Sequence, residues 1–210
     1  MLGCAGIAAR RAANGQVAVQ VRNTIEKAEA FSLREEQLSI APGNATGGLT
    51  TIEEKSMGAF AKSGTRPIQG VIKVTEKPTR PGLHLLDTVP DPSPFPFGHS
   101  NPNDSEGILA LISCGAHIVV FTTGRGSVIG SVISPVLKVC GNPQTYARMC
   151  RDMDVNAGRV ITGEATLAEV GQEIFELVLE VAAGRPTAAE RLGHAEYCIP
   201  YKHQDLCAIA

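Results

Sequence analysis

Four apolar residues in a row, Ile118 to Phe121, run without a break into Thr122-Thr123-Gly124-Arg125-Gly126-Ser127. A run with no polar alternation can be a strand only if both of its faces are covered. That is the situation of a parallel sheet flanked by helices, not of a half-exposed antiparallel one. The abrupt change at Thr122 then has a ready explanation: in sheets of this kind, ligands sit beyond the carboxyl ends of the strands.

The rest of the chain keeps the same alternation. Residues 16–31 have the apolar spacing of a helix, attached only loosely to the segment after it. Thr50 or Thr51 can cap a second helix that carries Glu53 or Glu54 in its first turn and ends at Gly64. Residues 68–74 and 82–88 read as strands joined by a proline-containing turn. A helix starts near Ser105, the buried strand comes next, and residues 131–141 form another extended apolar segment. Asn142 caps a helix with Pro143 at its first position, a long amphipathic helix runs from Thr166 to Ala183, and a short one covers 187–192. Five prolines between 89 and 103 exclude helix and inner strand there. With Phe95 and Phe97, that loop is either a lid or a rigid surface loop. The expected class is α/β, a mostly parallel sheet flanked by helices with Rossmann-like layering. The expected domains are an amino-terminal helix and linker (1–41) and an α/β domain (42–210).

Composition removes several classes of function. Among 210 residues, 19 are Lys or Arg and 21 are Asp or Glu, a net charge of -2, and there is no Trp. Such a chain lacks the attraction to phosphate backbones or anionic lipid, and the stacking platforms, that nucleic-acid and membrane-surface proteins use. No nucleic-acid or membrane partner is expected. The six cysteines form no CxxC pair and read as reduced thiols. The first arginines come after the opening apolar patch rather than before it, the wrong order for a secretory signal, so a cytoplasmic protein is expected.

Three groups of residues carry candidate chemistry. In the first, Gly124, Gly126 and Gly130 are spaced as GxGxxxG. The β-branched segment with Pro135 beyond them cannot open the helix a dinucleotide fingerprint needs, and no acidic residue stands about 20 positions on. The segment is left as an anion cradle: hydroxyls from Thr122, Thr123 and Ser127, backbone N–H groups freed by Gly124 and Gly126, and Arg125 as a two-pronged partner for a carboxylate. The competing reading is a tight turn whose arginine pairs with a neighbouring acid. The second group is Thr50, Thr51 and Lys55 at a helix start, which can hold an anion and carry a proton, or can be an ordinary capped helix with a solvated face. The third comprises Asp87 at a strand end and Asp154 in a turn, residue types that suit a hard divalent cation. The five histidines form no HxH or HxxxH pair.

Taken in order, "GNATGGLTTIEEKSMGA", "GLHLLDT", "VVFTTGRGSVIGSVISPVLKV" and "NPQTYARMCRDMDVNAGRVITG", continued by "EVGQEIFELVLEVAAGRPTAAERLGHAEY", resemble the altronate/galactarate dehydratase family of sugar-acid lyases. The resemblance is to the carboxyl-terminal portion of the large chain and covers about residues 42–201. It implies a metal-assisted lyase, usually associated with ferrous iron (Mg2+ or Mn2+ as alternatives), that removes water from a hydroxy-acid to leave a 2-keto-3-deoxy acid. Under it, Arg125 with Thr122, Thr123 and Ser127 grips a carboxylate, Lys55 carries a proton, and Asp87 or Asp154 stands beside the metal. The chain departs from the family where "SVISP" replaces a Cys-Lys-Pro stretch and where Ala157 stands in place of a cysteine. It therefore resembles a divergent branch that includes sulfolactate sulfo-lyase-like proteins.

Three functions are expected in turn. The first is a hydro-lyase domain for a sugar acid such as altronate or galactarate. The second is a C–S lyase on a sulfonated hydroxy-acid, and the third is a non-catalytic module that holds a carboxylate. The expected partners are a small hydroxy-acid, an amino-terminal domain or small subunit supplying the rest of the enzyme, and further copies of the chain.

Overall fold

The computed structural model describes residues 3–34, 46, 48–88, 97–99, 104–196 and 202–204. Contacts divide the chain into two compact units, Met1–Pro94 and Phe95–Ala210. The boundary falls in the proline-rich segment. Of that segment, Phe95 and all five prolines lie outside the described residues, and so does the proposed lid or surface loop apart from Phe97–His99.

In the first unit, helices α1 (Ala5–Arg10), α2 (Gly15–Arg34) and α3 (Ile52–Lys62) accompany strands β1 (Ile68–Lys73) and β2 (Leu83–Asp87). Helix α2 is not loosely attached. Its Val17, Val21 and Ile25, at i, i+4 and i+8, bury one stripe against Ala8 and Ile68, with Val71, Leu83 and Leu85 packed around them. Arg11 clamps the unit: Nε donates to Arg66 O (2.8 Å), the two terminal nitrogens donate to Ser63 Oγ (2.6 Å) and Ser63 O (2.7 Å), and the guanidinium lies over the Phe60 ring. Strands β1 and β2 pair in parallel, with Lys73 opposite Asp87. Residues 74–82 return the chain over the length of a strand. Extended, those residues reach about 30 Å, so no crossover helix is needed.

The second unit holds a three-stranded parallel sheet in the order β4 (Val119–Thr123), β5 (Val136–Cys140), β6 (Val155–Asn156). A separate antiparallel pair joins β3 (Phe97–His99) to β7 (Lys202–Gln204). The helices are α4 (Asp104–Ser113), α5 (Pro143–Arg148), α6 (Arg159–Thr162), α7 (Leu167–Ala182) and α8 (Ala188–Leu192). Every residue of the central strand β5 is buried. On one sheet face Leu137, Val139 and Val155 pack with Val170 and Val181 of α7; Ala157 joins this cluster. On the other, Val119 and Val136 pack with Ile108 of α4, Ile129 and Phe121. The α/β class with parallel sheets holds, divided between the units rather than forming one sheet. The extended segment expected over 131–141 shortens to five residues that begin after Pro135.

Local signals set the helix ends. Thr51, Asn142, Thr166 and Thr187 each accept a hydrogen bond from a first-turn backbone N–H, and Thr166 and Thr187 complete capping boxes with Glu169 and Glu190. Among the described residues, Cys4, Cys114, Cys140 and Cys150 are free thiols, and no helix is long and apolar enough to cross a membrane.

Candidate functional site

The segment after β4 has a conformation set by its own polar groups. Thr123 Oγ1 accepts from the backbone N–H of Arg125 (3.3 Å) and Gly126 (3.1 Å), closing a tight turn at the strand's carboxyl end. Gly126 has φ +80, in the left-handed region, and a Cβ there would run into Met149 Sδ. Only glycine fits without strain. Ser127 Oγ accepts from Ile129 N–H at 3.2 Å. The turn is anchored to the sheet where Gly141 N–H donates to Thr123 O (2.9 Å). Thr122 and Thr123 are consecutive strand residues, so their side chains point to opposite faces and do not converge on one ligand.

This turn leaves Arg125 unused. Its side chain is exposed, and among the described residues its guanidinium makes no hydrogen bond or ion pair. The competing reading, an arginine paired with a neighbouring acid, finds no such acid there. Arg11 shows the contrast, each of its three guanidinium nitrogens donating to a named protein acceptor.

The helix-start group of the first unit is arranged differently. Thr51 Oγ1 caps α3 by accepting from Glu54 N–H (3.1 Å). Thr50 donates to Glu54 Oε2 through both its backbone N–H (2.8 Å) and its hydroxyl (2.7 Å). Those hydrogen bonds, the Thr50 hydroxyl first, hold the Glu54 carboxyl below the ordinary glutamate value of 4.5. Lys55 is exposed on the first turn of the same helix.

The two aspartates lie in different units. Asp87 is buried at the end of β2, where its Oδ2 pairs with Lys27 Nζ at 2.9 Å. Asp154 ties two elements together: Oδ2 accepts from Lys138 N–H on β5, and Oδ1 accepts from Ala188 N–H at the start of α8, each at 2.7 Å. Among the described residues, no three His, Cys, Asp or Glu side chains stand together as a metal-binding group. The donor set here does not by itself fit a bound divalent cation.

One residue that sequence reasoning passed over is Lys138. It sits in the middle of β5, is completely buried, and its Nζ has no hydrogen-bond partner among the described residues. Burial holds its ammonium below the usual lysine value of 10.5, while Asp152, Asp154 and Glu196 pull the other way. Nearby, His194 faces Asp152 (Nε2 to Oδ1, 3.9 Å), and its Nδ1 is buried and unpartnered among the described residues. The signal was present in the sequence: a lone lysine inside Val-Leu-Lys-Val-Cys, a strand apolar on both faces.

Comparison with known proteins matches residues 1–204 to the family described as D-galactarate/altronate dehydratase, C-terminal. The (2R)-sulfolactate sulfo-lyase subunit beta of Chromohalobacter salexigens is 39% identical over 158 residues, 75% of this chain and 38% of that one. Galactarate dehydratase (L-threo-forming) of Escherichia coli is 37% identical over 145 residues, 69% of this chain and 25% of the relative. Altronate dehydratase of Bacillus subtilis is 31% identical over 202 residues, 95% of this chain and 38% of the relative. The chain thus spans between a quarter and two fifths of the length of these curated relatives.

Proposed function

The chain belongs to the D-galactarate/altronate dehydratase family as its carboxyl-terminal part, and on that premise we propose that it is a carboxylate-gripping portion of a lyase acting on a hydroxy-acid. The observation that carries the reading is Arg125. A fixed turn at the carboxyl end of a parallel strand presents a guanidinium with no protein partner among the described residues. A free fork of this kind matches the two oxygens of a carboxylate.

In the proposed reaction, a base takes the proton from the α carbon and the electron pair forms the α–β double bond. The β-hydroxyl departs as water after receiving a proton, and the resulting enol becomes a 2-keto-3-deoxy acid. Arg125 holds the carboxylate that stabilises the developing negative charge, and Ser127 borders the ligand. Lys55 as a proton carrier is a separate proposal for the first unit, where it stands exposed on a helix first turn. A divalent cation, ferrous iron in the first instance, is also part of the proposal, with its ligands drawn from outside the described residues. The portion of the family's length that this chain does not span is the proposed source of the remaining site, as a further domain or a partner subunit.

A second reading is favoured by the 39% identity to the sulfolactate sulfo-lyase subunit. There the same proton is removed, but a C–S bond breaks and sulfite leaves. A panel of galactarate, altronate and sulfolactate, assayed for keto-acid and for sulfite with and without Fe2+, separates the two. Turnover is expected only when the chain is assembled with the rest of the family's length. No turnover with any of these acids in that assembly overturns the lyase reading.

A further inference from the structure

Lys138 is an anomaly in physical terms. A side-chain ammonium is placed on the innermost strand of the sheet, away from water, with no acceptor among the described residues. Buried polar groups in native proteins are almost always satisfied, so an orphan of this kind calls for an occupant. His194 Nδ1 is a second orphan in the same unit.

The sheet register places Lys138 on the strand beside β4, two residues before the turn that carries Arg125. Lys138 pairs with Phe121, and Cys140 pairs with Thr123. Side chains alternate along a strand, so Lys138 shares a face with Val136 and Phe121, opposite the face where Leu137 and Val139 meet α7. Ile129 packs on that same Val136 and Phe121 face, so the chain leaving Ser127 folds back over it. The next glycine closes the arrangement: a Cβ at Gly130 would run into the carbonyl of His194. Loop, imidazole and amine therefore belong to one region, and Asp152 borders it, facing His194 and acting on Lys138.

We propose that Lys138 Nζ and His194 Nδ1 form the inner wall of a ligand site beneath the Thr123–Ser127 turn, where they hold an oxygen of a small hydroxy-acid anion. The inference rests on the reading that Arg125 grips a carboxylate and adds a second point of attachment on the same ligand. The ammonium supplies up to three donors, and the imidazole supplies a donor or an acceptor according to its tautomer. Asp152 Oδ1 lies 3.9 Å from the other imidazole nitrogen. Occupation by ligand oxygen gives both orphans the partners that the protein does not.

The experiment titrates galactarate and (2R)-sulfolactate by calorimetry into wild type, Lys138→Met and Arg125→Lys, each assembled with the rest of the family's length. A parallel sample labelled at the lysine ε-carbons is followed by NMR, the Lys138 signal being the one absent from Lys138→Met. Methionine keeps the length of the stem and removes the charge. The proposal expects binding to weaken about tenfold or more in Lys138→Met, as for loss of a hydrogen bond to a charged group, with a melting temperature at or above that of wild type. It also expects the Lys138 signal to shift as the site fills. Unchanged affinity in Lys138→Met, alongside weakened binding in Arg125→Lys, overturns this inference and leaves the functional reading standing. If Lys138→Met melts below wild type, the NMR signal decides, and a signal that stays fixed at saturation overturns the inference. Weakened binding in Lys138→Met alone keeps the inner wall and removes Arg125. Absence of binding in wild type overturns both.

Discussion

Two turns in this molecule have nearly the same ingredients. Gly48, Thr50 and Thr51 precede α3, and Thr122 to Ser127 lie at and beyond the end of β4; each combines glycine with hydroxyls and a basic residue within a few positions. In the first, the chain supplies its own anion. Glu54 accepts both donors of Thr50, and Thr51 is committed to the helix cap. In the second, the hydroxyls of Thr123 and Ser127 are likewise spent on local backbone, but no carboxylate arrives and Arg125 is left unmatched among the described residues. The difference teaches that a hydroxyl-rich turn is not a ligand site by composition. It becomes one where the local charge remains unbalanced after the turn has satisfied itself.

Substitutions can break that contrast or sharpen it. The largest effect is expected at Arg125: replacement by lysine keeps the charge but loses the fork, so affinity for a hydroxy-acid should fall about tenfold to a hundredfold. Calorimetry is the measurement, and Thr50→Ala should leave affinity unchanged. Next comes Gly126→Ala, which forces a β-carbon into the left-handed region and against Met149. About 1–2 kcal/mol of stability should be lost in denaturant titration, with weaker ligand binding because the turn shifts. Thr51→Ala removes only a cap, so about 1 kcal/mol should be lost with no change in binding. The smallest effect concerns Glu54. Because its carboxyl is held below the ordinary value of 4.5, the unfolded chain binds its proton first as pH falls. The stabilisation is therefore present above that value and disappears as pH drops through the lower, folded value. Melting curves of wild type and Glu54→Gln should differ slightly at neutral pH and converge in acid.

Much of the fold was legible because local chemistry and tertiary packing agree. Thr51, Asn142 and Thr166 mark helix starts by side chains that can reach only their own first turn. The apolar run before Thr122 does form a strand, but the cover expected on both faces is missing on one, where Val120 stays 43% exposed and only Val119 is buried. The parallel pairing of β1 with β2 was not legible, since a short connection with prolines reads equally well as a turn. The packing of α2 was hidden for a related reason: Val17, Val21 and Ile25 announce an apolar stripe but not its cover. In the site, Arg125 could be singled out by its setting, whereas its lack of a partner is a property of space, not of order along the chain. Asp154 looked like a turn carboxylate and is a brace between β5 and α8. Lys138 was overlooked because its neighbours are so uniformly apolar that the segment reads as plain strand.

That uniformity has an evolutionary consequence. Apart from the pull of Asp152, Asp154 and Glu196, nothing in the packing of β5 asks for a charge at position 138, and a methionine or leucine there would suit its apolar neighbours better. A lineage that no longer needed the amine would lose nothing by replacing it and would gain a firmer sheet. Position 138 should therefore be among the first in the strand to drift once selection on ligand binding relaxes. The residue found there sorts chains that still serve a ligand from those that merely keep the shape.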